Sequence, residues 1–532
     1  MLRSAATDLI TGGRFFVALS SFLRHPIDPA HARAVLRRRL ETRQEDFLDL
    51  IRRTVFEALA SPYRTLMASA GCELGDLERL VKQEGLEGAL EILARRGVYL
   101  TVDEFKGRRP VVRGSVTFDI APGQLQNPFA TTHVRSQTGG SRGHSTPVAL
   151  DLAFIREMAV NYCLVADARG ERDWVHAVWL VPSGDAIVKM LRHARFGAIP
   201  VRWFSQFALH SPEVHPRYRL GARVLRWAGR LARVPLPWPE HVSIEDPTPI
   251  VRWIAAVLGT GRTPHLITIA SSAVRICQAA AAGGVNLRGA RFTLAGEPTT
   301  AARLSVVQAV GADAHPIYAT TEAGVIGLGC LARETSDDVH MFHDRVAVIA
   351  PRVDSPSHAL PRDALFISTL RVVGTPVILL NVSLGDQAVM TERRCGCPLE
   401  ALGWSTHLHT IRSYEKLTAA GMAFLDSDLV RILEDVLPKK FGGGPGDYQL
   451  VEDEMEDGRP RLRLLVHPSV GRLDGETVAA TFLSAAAVGT GGQPLMALAW
   501  RDAKLLTVER RPPITTSAGK ILHLHVEPTR MR

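Results

Sequence analysis

The first stretch whose composition could do chemistry is a run of glycines and hydroxyl-bearing residues, Ser136 to Thr146. It reads Ser-Gln-Thr-Gly-Gly-Ser-Arg-Gly-His-Ser-Thr. Glycines allow a loop to curl so that backbone N–H groups and hydroxyls converge on phosphate oxygens. The run differs from a Walker P-loop because no Gly-Lys-Ser/Thr closes it. A surface turn rich in Gly and Ser is the alternative interpretation.

Polar residues also follow two predicted strands further along the chain. Gly296-Glu297-Pro298 ends one strand, and Tyr318-Ala319-Thr320-Thr321-Glu322 ends the next. Three single residues lie beyond them: Asp386, Arg412 and Lys520. An ionised carboxylate accepts hydrogen bonds from hydroxyls, and a lysine stabilises an anionic transition state. Taken alone, each has an ordinary alternative as a turn residue, a helix N-terminal carboxylate or a solvated surface charge.

The elements that must position these residues alternate between short β-branched runs and helical patterns. Strands are predicted at 176–181, 265–270, 291–295 and 315–318, and helices at 185–193, 273–281 and 300–310. This alternation is typical of a mostly parallel sheet with helices on its faces, in which ligands collect at the carboxyl ends of strands. We therefore predict an α/β fold whose large N-terminal domain has mostly parallel sheets flanked by helices.

The two ends of the chain have sequence patterns that differ from those of this middle part. Helical spacing of apolar residues from Ala30 to Ala60 and from Gly75 to Gly97 predicts a helical N-terminal region over 1–110. Past Ile411, we predict a helix, a strand pair around Asp457-Gly458, a second helix and a final strand near 504–508. The predicted division is a large domain, 1–411, and a small mobile α+β lid domain, 412–532.

Taken in order, these motifs resemble those of the adenylate-forming superfamily of acyl- and aryl-CoA synthetases, luciferases and nonribosomal adenylation domains. The branch they look most like is the phenylacetate-CoA ligase group. In that group a Ser/Thr/Gly-rich loop comes first, then a Gly-Glu-Pro strand end, then Tyr-Gly-x-Ser/Thr-Glu. The resemblance continues through Leu384-Gly385-Asp386, Cys395-Gly396-Cys397, Ile411-Arg412 with Gly421, and Thr516 to Lys520. The ordered set is far more specific than any one member.

The resemblance implies an enzyme that uses ATP and Mg²⁺ to convert a carboxylic acid into an acyl-adenylate, and then transfers the acyl group to a thiol, coenzyme A above all. Glu322 would hold magnesium, and Lys520, on a mobile loop, would meet the substrate carboxylate and the α-phosphate. Tyr318 would lie against adenine, while Asp386 and Arg412 would bind the ribose hydroxyls. The other nucleotide-binding residues implied are Thr138, Gly139, Gly140, Ser141, Gly143, Gly296, Glu297, Pro298, Ala319, Thr320 and Thr321.

Several positions depart from the family pattern. Ala319 stands where the family usually has Gly, and His144 replaces the usual Lys of the Gly-rich loop. The hinge reads Arg412-Ser413-Tyr414-Glu415 instead of Arg-Ala-Asp-Asp, and Ala420 replaces an Arg. Rotation at this hinge lets the family exchange adenylation for thioester formation. An acceptor other than coenzyme A therefore stays open: an amine, a carrier-protein thiol or a protein cysteine.

The same substitutions leave open a protein of another class, a catalytically silent nucleotide-binding or scaffold protein. Such a protein would show no pyrophosphate exchange. The joint presence of Glu322, Asp386 and Lys520 argues against it, because a chain released from catalysis has no physical need for all three.

The acyl pocket is expected between the Gly-rich loop and the Tyr318 motif. Trp203, Phe204 and Phe207 are the candidate apolar wall, which would favour an aryl or medium apolar acid. Core packing is the commoner role of such an aromatic cluster.

Cysteine and histidine form a second, metal-binding pattern. Cys395 and Cys397 make a Cys-x-Cys pair, and Cys330 and His340 lie upstream of it. Thiolate and imidazole ligands in this number suit tetrahedral zinc, and a closed set of four would be structural. His343 is the alternate fourth ligand. Ordinary buried free cysteines are the competing interpretation, because Cys-x-Cys is tighter than the common finger spacing.

Composition narrows the class of protein. The chain has 532 residues, 46% hydrophobic and 22% charged, which fits a globular protein of at least two domains. Its net charge is +9, but the basic residues are dispersed and lack an aromatic-basic recognition pattern, so nucleic acid is not an expected partner. With no transmembrane-length apolar run and no signal peptide, the expected location is cytoplasmic. The sequence leaves the oligomeric state open, a homodimer being one alternative.

Overall fold

The computed structural model describes the chain in thirteen stretches, and the account below concerns these alone. They are 18–130, 134–137, 147–150, 152–181, 184–210, 216–351, 360–414, 417–419, 422–424, 426–454, 460–487, 506–516 and 519–526.

Helices dominate the first hundred residues and then alternate with strands. Residues 18–24 are helical, and the further α-helices are α1 Pro29–Glu41, α2 Arg43–Ile51, α3 Pro62–Ser69, α4 Leu74–Arg95, α5 Val102–Phe105, α6 Leu152–Arg169, α7 Gly184–Ala194, α8 Pro216–Ala232, α9 Thr248–Gly259, α10 Ala270–Ala282, α11 Ala301–Ala309, α12 Asp426–Arg431, α13 Leu437–Phe441 and α14 Gly475–Ala486. π-helical turns at Arg52–Phe56 and Ile432–Val436 follow α2 and α12.

Local chemistry sets several helix starts. The Asp28 side chain accepts a 2.8 Å hydrogen bond from the His31 N–H, and Pro29 occupies the first turn of α1. Thr300 caps α11 in the same way through the Arg303 N–H. Both caps satisfy a backbone donor that has no partner within its helix.

A ten-stranded sheet forms the centre of the molecule. Its order is β15-β16-β12-β11-β10-β9-β8-β5-β6-β7. The strands are β5 Val175–Leu180, β6 Arg202–Ser205, β7 Pro239–His241, β8 Pro264–Ile269, β9 Arg291–Ala295, β10 Asp313–Thr320, β11 Gly324–Gly329, β12 Val339–Met341, β15 Asp386–Glu392 and β16 Thr406–Ser413. Pairing is parallel from β10 through β9, β8, β5 and β6 to β7. It is antiparallel from β10 to β15.

The parallel half is buried on both faces. Every residue of β5 and of β8 is buried, as expected for parallel strands covered by helices on each side. One hydrophobic cluster, which includes Val178 and Trp203, joins this sheet to the N-terminal helices. A second, which includes Phe204 and Phe292, packs α9 to α11 against the other face.

Four two-stranded ribbons lie outside the two larger sheets. They pair β1 Val111–Arg113 with β2 Val116–Phe118, β3 Val134–Gln137 with β4 Pro147–Leu150, β13 Val346–Ile349 with β14 Phe366–Thr369, and β17 Leu417–Ala419 with β18 Met422–Phe424.

A four-stranded sheet lies near the C-terminus, in the order β21-β20-β19-β22. Its strands are β19 Tyr448–Glu454, β20 Pro460–Val466, β21 Leu506–Arg510 and β22 Leu524–Val526. Side chains from α12, α14 and these strands form a hydrophobic cluster of their own. The strand predicted near 504–508 occurs as β21. It is not the final strand, because β22 follows it.

The predicted fold class is confirmed: the molecule is α/β, with a large, mostly parallel sheet between helices. The four predicted strands of the parallel half and the three helices between them occur within a few residues of their expected bounds. The short strands β6 and β7, of which β7 forms an edge of the sheet, and the helix α8 were not predicted. Within the described residues, no helix combines the length and apolar character needed to cross a membrane.

Candidate functional site

A cavity of about 280 Å³ opens beside the carboxyl ends of β9 and β10. Predicted site residues from distant parts of the chain line it together: Gly296, Glu297, Pro298, Tyr318, Ala319, Asp386, Arg412 and Lys520. Parallel strands end at one edge of a sheet, so the loops after β9 and β10 meet there. The antiparallel pair β15 and β16 brings Asp386 opposite Ser413 and beside Arg412. The segment before β22 supplies Lys520.

Lys520 lies directly against Gly296. A Cβ placed on Gly296 would stand 3.0 Å from Lys520 Cε and 3.4 Å from its Nζ, and Gly296 has a left-handed φ of +83°. Only glycine satisfies both conditions without strain. The Gly-Glu-Pro turn and the lysine segment therefore pack closely, although Gly296 and Lys520 are 224 positions apart in sequence.

A tight turn holds the lysine segment in shape. The Thr516 hydroxyl accepts a hydrogen bond from the Lys520 N–H at 3.1 Å, and the Thr516 N–H donates to the Lys520 carbonyl at 2.8 Å. Gly519 has a φ of +74°, and a Cβ there would stand 1.9 Å from Gln206 Oε1. Gln206 follows β6, so the turn is packed against the same carboxyl edge of the sheet.

Tyr318 and Asp386 interact on one wall of the cavity. The Tyr318 hydroxyl donates a 3.0 Å hydrogen bond to Asp386 Oδ2. Burial, together with the Asp386 charge, raises the pKa of Tyr318 well above its ordinary value, so the phenol stays protonated. One Asp386 oxygen thus has a protein donor, and the carboxylate retains further acceptor capacity toward the cavity.

Arg412 is fixed by Asp337, a residue that the sequence analysis did not single out. Arg412 Nη1 donates to Asp337 Oδ2 at 2.7 Å, and the same carboxylate accepts the N–H groups of Thr410 and Ile411. Asp337 also lines the cavity. No sequence motif marks it, because its position depends on the antiparallel half of the sheet.

Glu297 differs from its neighbours because its carboxylate is fully engaged by protein groups. It accepts the Ser271 N–H at 2.8 Å and hydroxyl at 2.9 Å, Arg303 Nη1 at 2.8 Å, and the N–H of Ile521 at 2.8 Å. The side chain is 2% exposed. Glu297 therefore ties the lysine segment to the sheet edge.

A buried ion pair makes a second tie between the same two parts of the chain. Arg303 Nε donates to Glu434 Oε1 at 2.7 Å, and His523 Nε2 lies 2.9 Å from the same oxygen. The Thr300 hydroxyl donates to the other oxygen. Arg303, His523 and Thr300 hold the pKa of Glu434 down to about 2 despite its burial. No sequence motif marks Arg303 or Glu434. Only the ion pair between them shows that they connect two distant parts of the chain.

Glu322 lies in the turn between β10 and β11. It is buried, and burial raises the pKa of its carboxyl group. It contributes electrostatically to Tyr318 but is not among the residues that line the cavity. Its role in holding magnesium stays a prediction.

The other predicted binding residues fall into two sets. Thr138, Gly139, Gly140, Ser141 and Gly143 lie outside the described residues. Trp203 and Phe204 are buried in hydrophobic clusters on opposite faces of β6, and Phe207 is partly buried against the first of these. Their packing is that of core residues.

The predicted metal ligands come together. One ligand atom from each of Cys330, His340, Cys395 and Cys397 lies within 4.8 Å of all the others. His340 Nε2 is 3.1 Å from Cys397 Sγ and 3.6 Å from Cys395 Sγ. His340 Nδ1 lies 2.6 Å from the Trp404 carbonyl, an arrangement that turns Nε2 toward the thiols. Hydrogen bonding from Cys330 and the nearby His340 ring hold the pKa of the Cys397 thiol well below its usual range.

Another buried cluster, Glu171, His176 and His265, lies near the amino ends of β5 and β8. His176 Nδ1 and His265 Nδ1 are 2.8 Å apart, and His265 Nε2 meets the Thr293 hydroxyl at 2.7 Å. Arg169 pairs with Glu171 at 3.3 Å. Burial lowers the pKa of His176 to about 4, so the ring is neutral. These groups satisfy one another as a hydrogen-bonded core network.

Comparison with known proteins gives similarities of structure. No family model and no curated protein matches the chain. A 2-hydroxyisobutyryl-CoA ligase in the postadenylation state, in complex with R3-HIB-AMP, has 15% identity and a TM-score of 0.49, with 95% of this chain and 91% of that chain covered. The same ligase with 2-HIB-AMP and CoA in the thioesterification state has 15% identity and a TM-score of 0.41, with 95% and 92% covered.

A third structure is an acyl-CoA synthetase (AMP-forming)/AMP-acid ligase II-like protein from Dyadobacter fermentans DSM 18053. It has 15% identity and a TM-score of 0.30, with 73% of this chain and 87% of that chain covered.

Proposed function

We propose that the protein is an ATP-dependent, adenylate-forming ligase similar to the phenylacetate-CoA ligases. The observation that carries the proposal is the convergence of Gly296, Tyr318, Asp386, Arg412 and Lys520 around one cavity. These residues come from five separate segments: the loop after β9, the strands β10, β15 and β16, and the segment before β22.

In the first half-reaction, a carboxylate oxygen of the acid attacks the α-phosphorus of ATP. The bond between the α-phosphorus and the bridging oxygen breaks, pyrophosphate leaves with the electron pair, and a mixed anhydride, acyl-AMP, remains. In the second half-reaction, a thiolate attacks the acyl carbon and AMP leaves. We propose coenzyme A as the thiol.

The cavity residues suit these steps. Asp386 would accept hydrogen bonds from the ribose hydroxyls, Arg412 would donate to the same sugar, and Tyr318 would lie against the base. The Lys520 ammonium would bridge the substrate carboxylate and the α-phosphate and stabilise the negative charge that builds up during attack. Thr138 to Gly143 would wrap the outgoing phosphates, and Glu322 would hold magnesium, whose charge neutralises them.

We also propose that residues 412–532 form a mobile lid that delivers Lys520. The separate hydrophobic cluster of the C-terminal sheet supports an independent folding unit. Several of its contacts with the large part are polar, among them the Glu297–Ile521 hydrogen bond, the Glu434 network and the Arg412–Asp337 ion pair. Contacts of this type can break and re-form without exposing a large apolar surface.

For the Cys330, His340, Cys395 and Cys397 cluster we propose structural zinc. Three sulfurs and one imidazole nitrogen match the ligand set of closed tetrahedral sites, and the Trp404 carbonyl orients the histidine. Zinc bound there would join β11, β12 and the segment between β15 and β16.

The test is a screen for acid-dependent exchange of labelled pyrophosphate into ATP, run over aryl, medium-chain and fatty acids. We expect exchange with at least one class, strict dependence on Mg²⁺, and none with Lys520→Ala prepared in parallel. Exchange that is absent for every acid, with ATP bound normally in a separate assay, would support the silent nucleotide-binding alternative.

The acceptor is tested with the acid found in this way. Coenzyme A, a phosphopantetheinylated carrier protein and an amine are supplied separately after adenylate formation. Release of AMP together with acyl-CoA supports the second half of the proposal. Product with the carrier protein or the amine alone would replace coenzyme A as the acceptor while leaving the adenylation step intact.

A further inference from the structure

Helix α8 and the segment after it present an apolar face to solvent. Leu220 and Trp227 are each 63% exposed, Leu231 is 54% exposed and Trp238 is 36% exposed. Leu220, Trp227 and Leu231 are separated by seven and four residues, which places them along one side of a helix with 3.6 residues per turn. The opposite side, including Ala222, Leu225 and Ala228, is buried in the core.

Arginines flank this apolar face. The stretch from Pro216 to Trp238 contains six arginines and no acidic residue. Arg223, Arg226 and Arg230 are exposed and form no ion pair with any carboxylate in the described part of the chain. The Arg230 guanidinium lies over the Trp227 ring at 5.7 Å, and Arg226 lies over Trp238 at 5.7 Å. Leu220, Trp227, Leu231, Trp238, Arg223, Arg226 and Arg230 are called the α8 patch below.

We propose that the α8 patch docks the protein on an anionic phospholipid surface. A helix with exposed Trp and Leu on one side and arginines beside them is the pattern of helices that lie in the headgroup region. The positive charge of these arginines, which pairs with no carboxylate among the described residues, complements anionic headgroups. These apolar side chains stand on the solvent side of a helix, where they can enter the headgroup region of a lipid surface.

The same charges oppose pairing of two copies through this face. A symmetric dimer would bring the arginines of one copy against those of the other, and like charges at an interface are unfavourable. The inference is independent of the proposed function, because none of these residues lines the cavity.

The experiment is flotation of the full-length protein with vesicles of phosphatidylcholine alone or with roughly 30% phosphatidylglycerol. We expect binding at least tenfold stronger to the anionic vesicles, with most of it lost when salt rises from roughly 0.05 M to 0.5 M. Equal binding to both vesicles, or binding to neither, overturns the proposal.

Two double variants divide the patch into its charged and apolar parts. Arg223→Gln/Arg230→Gln should weaken anionic binding roughly fivefold for each arginine. Trp227→Ala/Leu231→Ala should weaken it roughly tenfold or more. The matched controls are Arg79→Gln/Arg202→Gln and Leu59→Ala/Val373→Ala, which alter exposed residues elsewhere and should bind like the wild type.

Measurements in solution distinguish a lipid surface from the two other binding partners of the α8 patch, a second copy of the chain and an acidic protein. All variants should keep the wild-type melting temperature, because the altered side chains are exposed. If sedimentation shows the wild type as a dimer and Trp227→Ala/Leu231→Ala as a monomer, the face joins two copies and the proposal fails. If an anionic polypeptide displaces the protein from vesicles at equal charge concentration, the patch recognises an acidic protein and the proposal also fails.

Discussion

Strands β15 and β16 form one antiparallel pair whose two ends differ in chemistry. At one end, Asp386 faces Ser413 and stands beside Arg412, and their polar groups border an open cavity. At the other end, the segment between the strands carries Cys395 and Cys397, whose sulfurs face His340 and Cys330. Seven residues of β15 separate the ends, about 23 Å at the usual rise per residue.

The difference shows how the two ends of one strand pair can suit different tasks, reaction at one end and structure at the other. At the cavity end, the Asp386 carboxylate accepts a hydrogen bond from Tyr318 and keeps acceptor capacity toward the cavity. At the cysteine end, the four ligand atoms face one another and no open position remains for a substrate. Changes at the cavity end should therefore affect rates, and changes at the cysteine end should affect stability.

The largest expected effect belongs to the cysteine end. Cys397→Ser should release zinc and lower the free energy of unfolding by more than about 4 kcal/mol, since loss of a structural metal is among the most damaging changes. Elemental analysis and chemical denaturation measure the two effects. Cys163→Ser, at a buried cysteine outside the cluster, should keep the zinc. Less than roughly a tenth of a zinc per chain in wild-type protein prepared without chelators would remove the metal proposal.

The cavity end is tested by Lys520→Ala. Loss of its charge should slow pyrophosphate exchange by about 10²- to 10³-fold, because a preorganised cation stabilises the transition state. ATP binding and the melting temperature should stay near wild type. Lys439→Ala, at a lysine whose side chain is 76% exposed, serves as the control. Equal exchange rates for Lys520→Ala and the wild type would refute the role of Lys520.

A substitution of Glu434 tests the buried network that connects Arg303, in the large part of the chain, with His523, near the C-terminus. Glu434→Gln removes one of the two carboxylates that contact Arg303 and leaves Glu297 in place. We therefore expect a loss of about 2 kcal/mol in stability, less than the roughly 3–5 kcal/mol of a buried ion pair that is broken completely. Adenylation should slow more than thioester formation, because the network holds Lys520 at the cavity. Asp435→Asn, one residue away and half-exposed, controls for the charge change. An unchanged ratio of the two half-reactions would limit Glu434 to a purely structural role.

The same network predicts a dependence on pH. Glu434 has a pKa of about 2 in the folded protein against an ordinary value of 4.5. A depressed pKa stabilises the fold above pH 4.5, and this contribution disappears as the pH falls toward 2. The stability difference between wild type and Glu434→Gln should therefore narrow between pH 6 and pH 3. A constant difference over that range would contradict the assignment.

The smallest effect is expected from Tyr318→Phe. It removes the hydroxyl that donates to Asp386 at 3.0 Å and keeps the ring. A single hydrogen bond of this kind contributes about 1 kcal/mol, so KM for ATP should rise about fivefold while kcat changes little. Steady-state exchange kinetics measure both constants. A large fall in kcat would mean that Tyr318 acts on the reacting atoms.

Much of the fold could be predicted because it is local. β9 matched its prediction residue for residue, and α7 and α10 occurred close to their expected bounds, since apolar periodicity is a property of the chain itself. β6 and β7 were missed because strands of four and three residues carry too little pattern. Packing on both faces of β6 buries its aromatic residues, Trp203 and Phe204, in hydrophobic clusters, and their place at an acyl pocket stays a prediction.

The sequence by itself determined the order of the motifs, the α/β class and the residue types able to bind a nucleotide or zinc. Those properties depend on neighbours along the chain or on the chemistry of single side chains. Only the tertiary structure decided that Asp337 holds Arg412, that Glu297 binds Ile521, and that Arg303 meets Glu434. Such contacts join residues far apart in sequence, and they exist only where the sheet order and the position of the C-terminal part bring the partners within hydrogen-bonding distance.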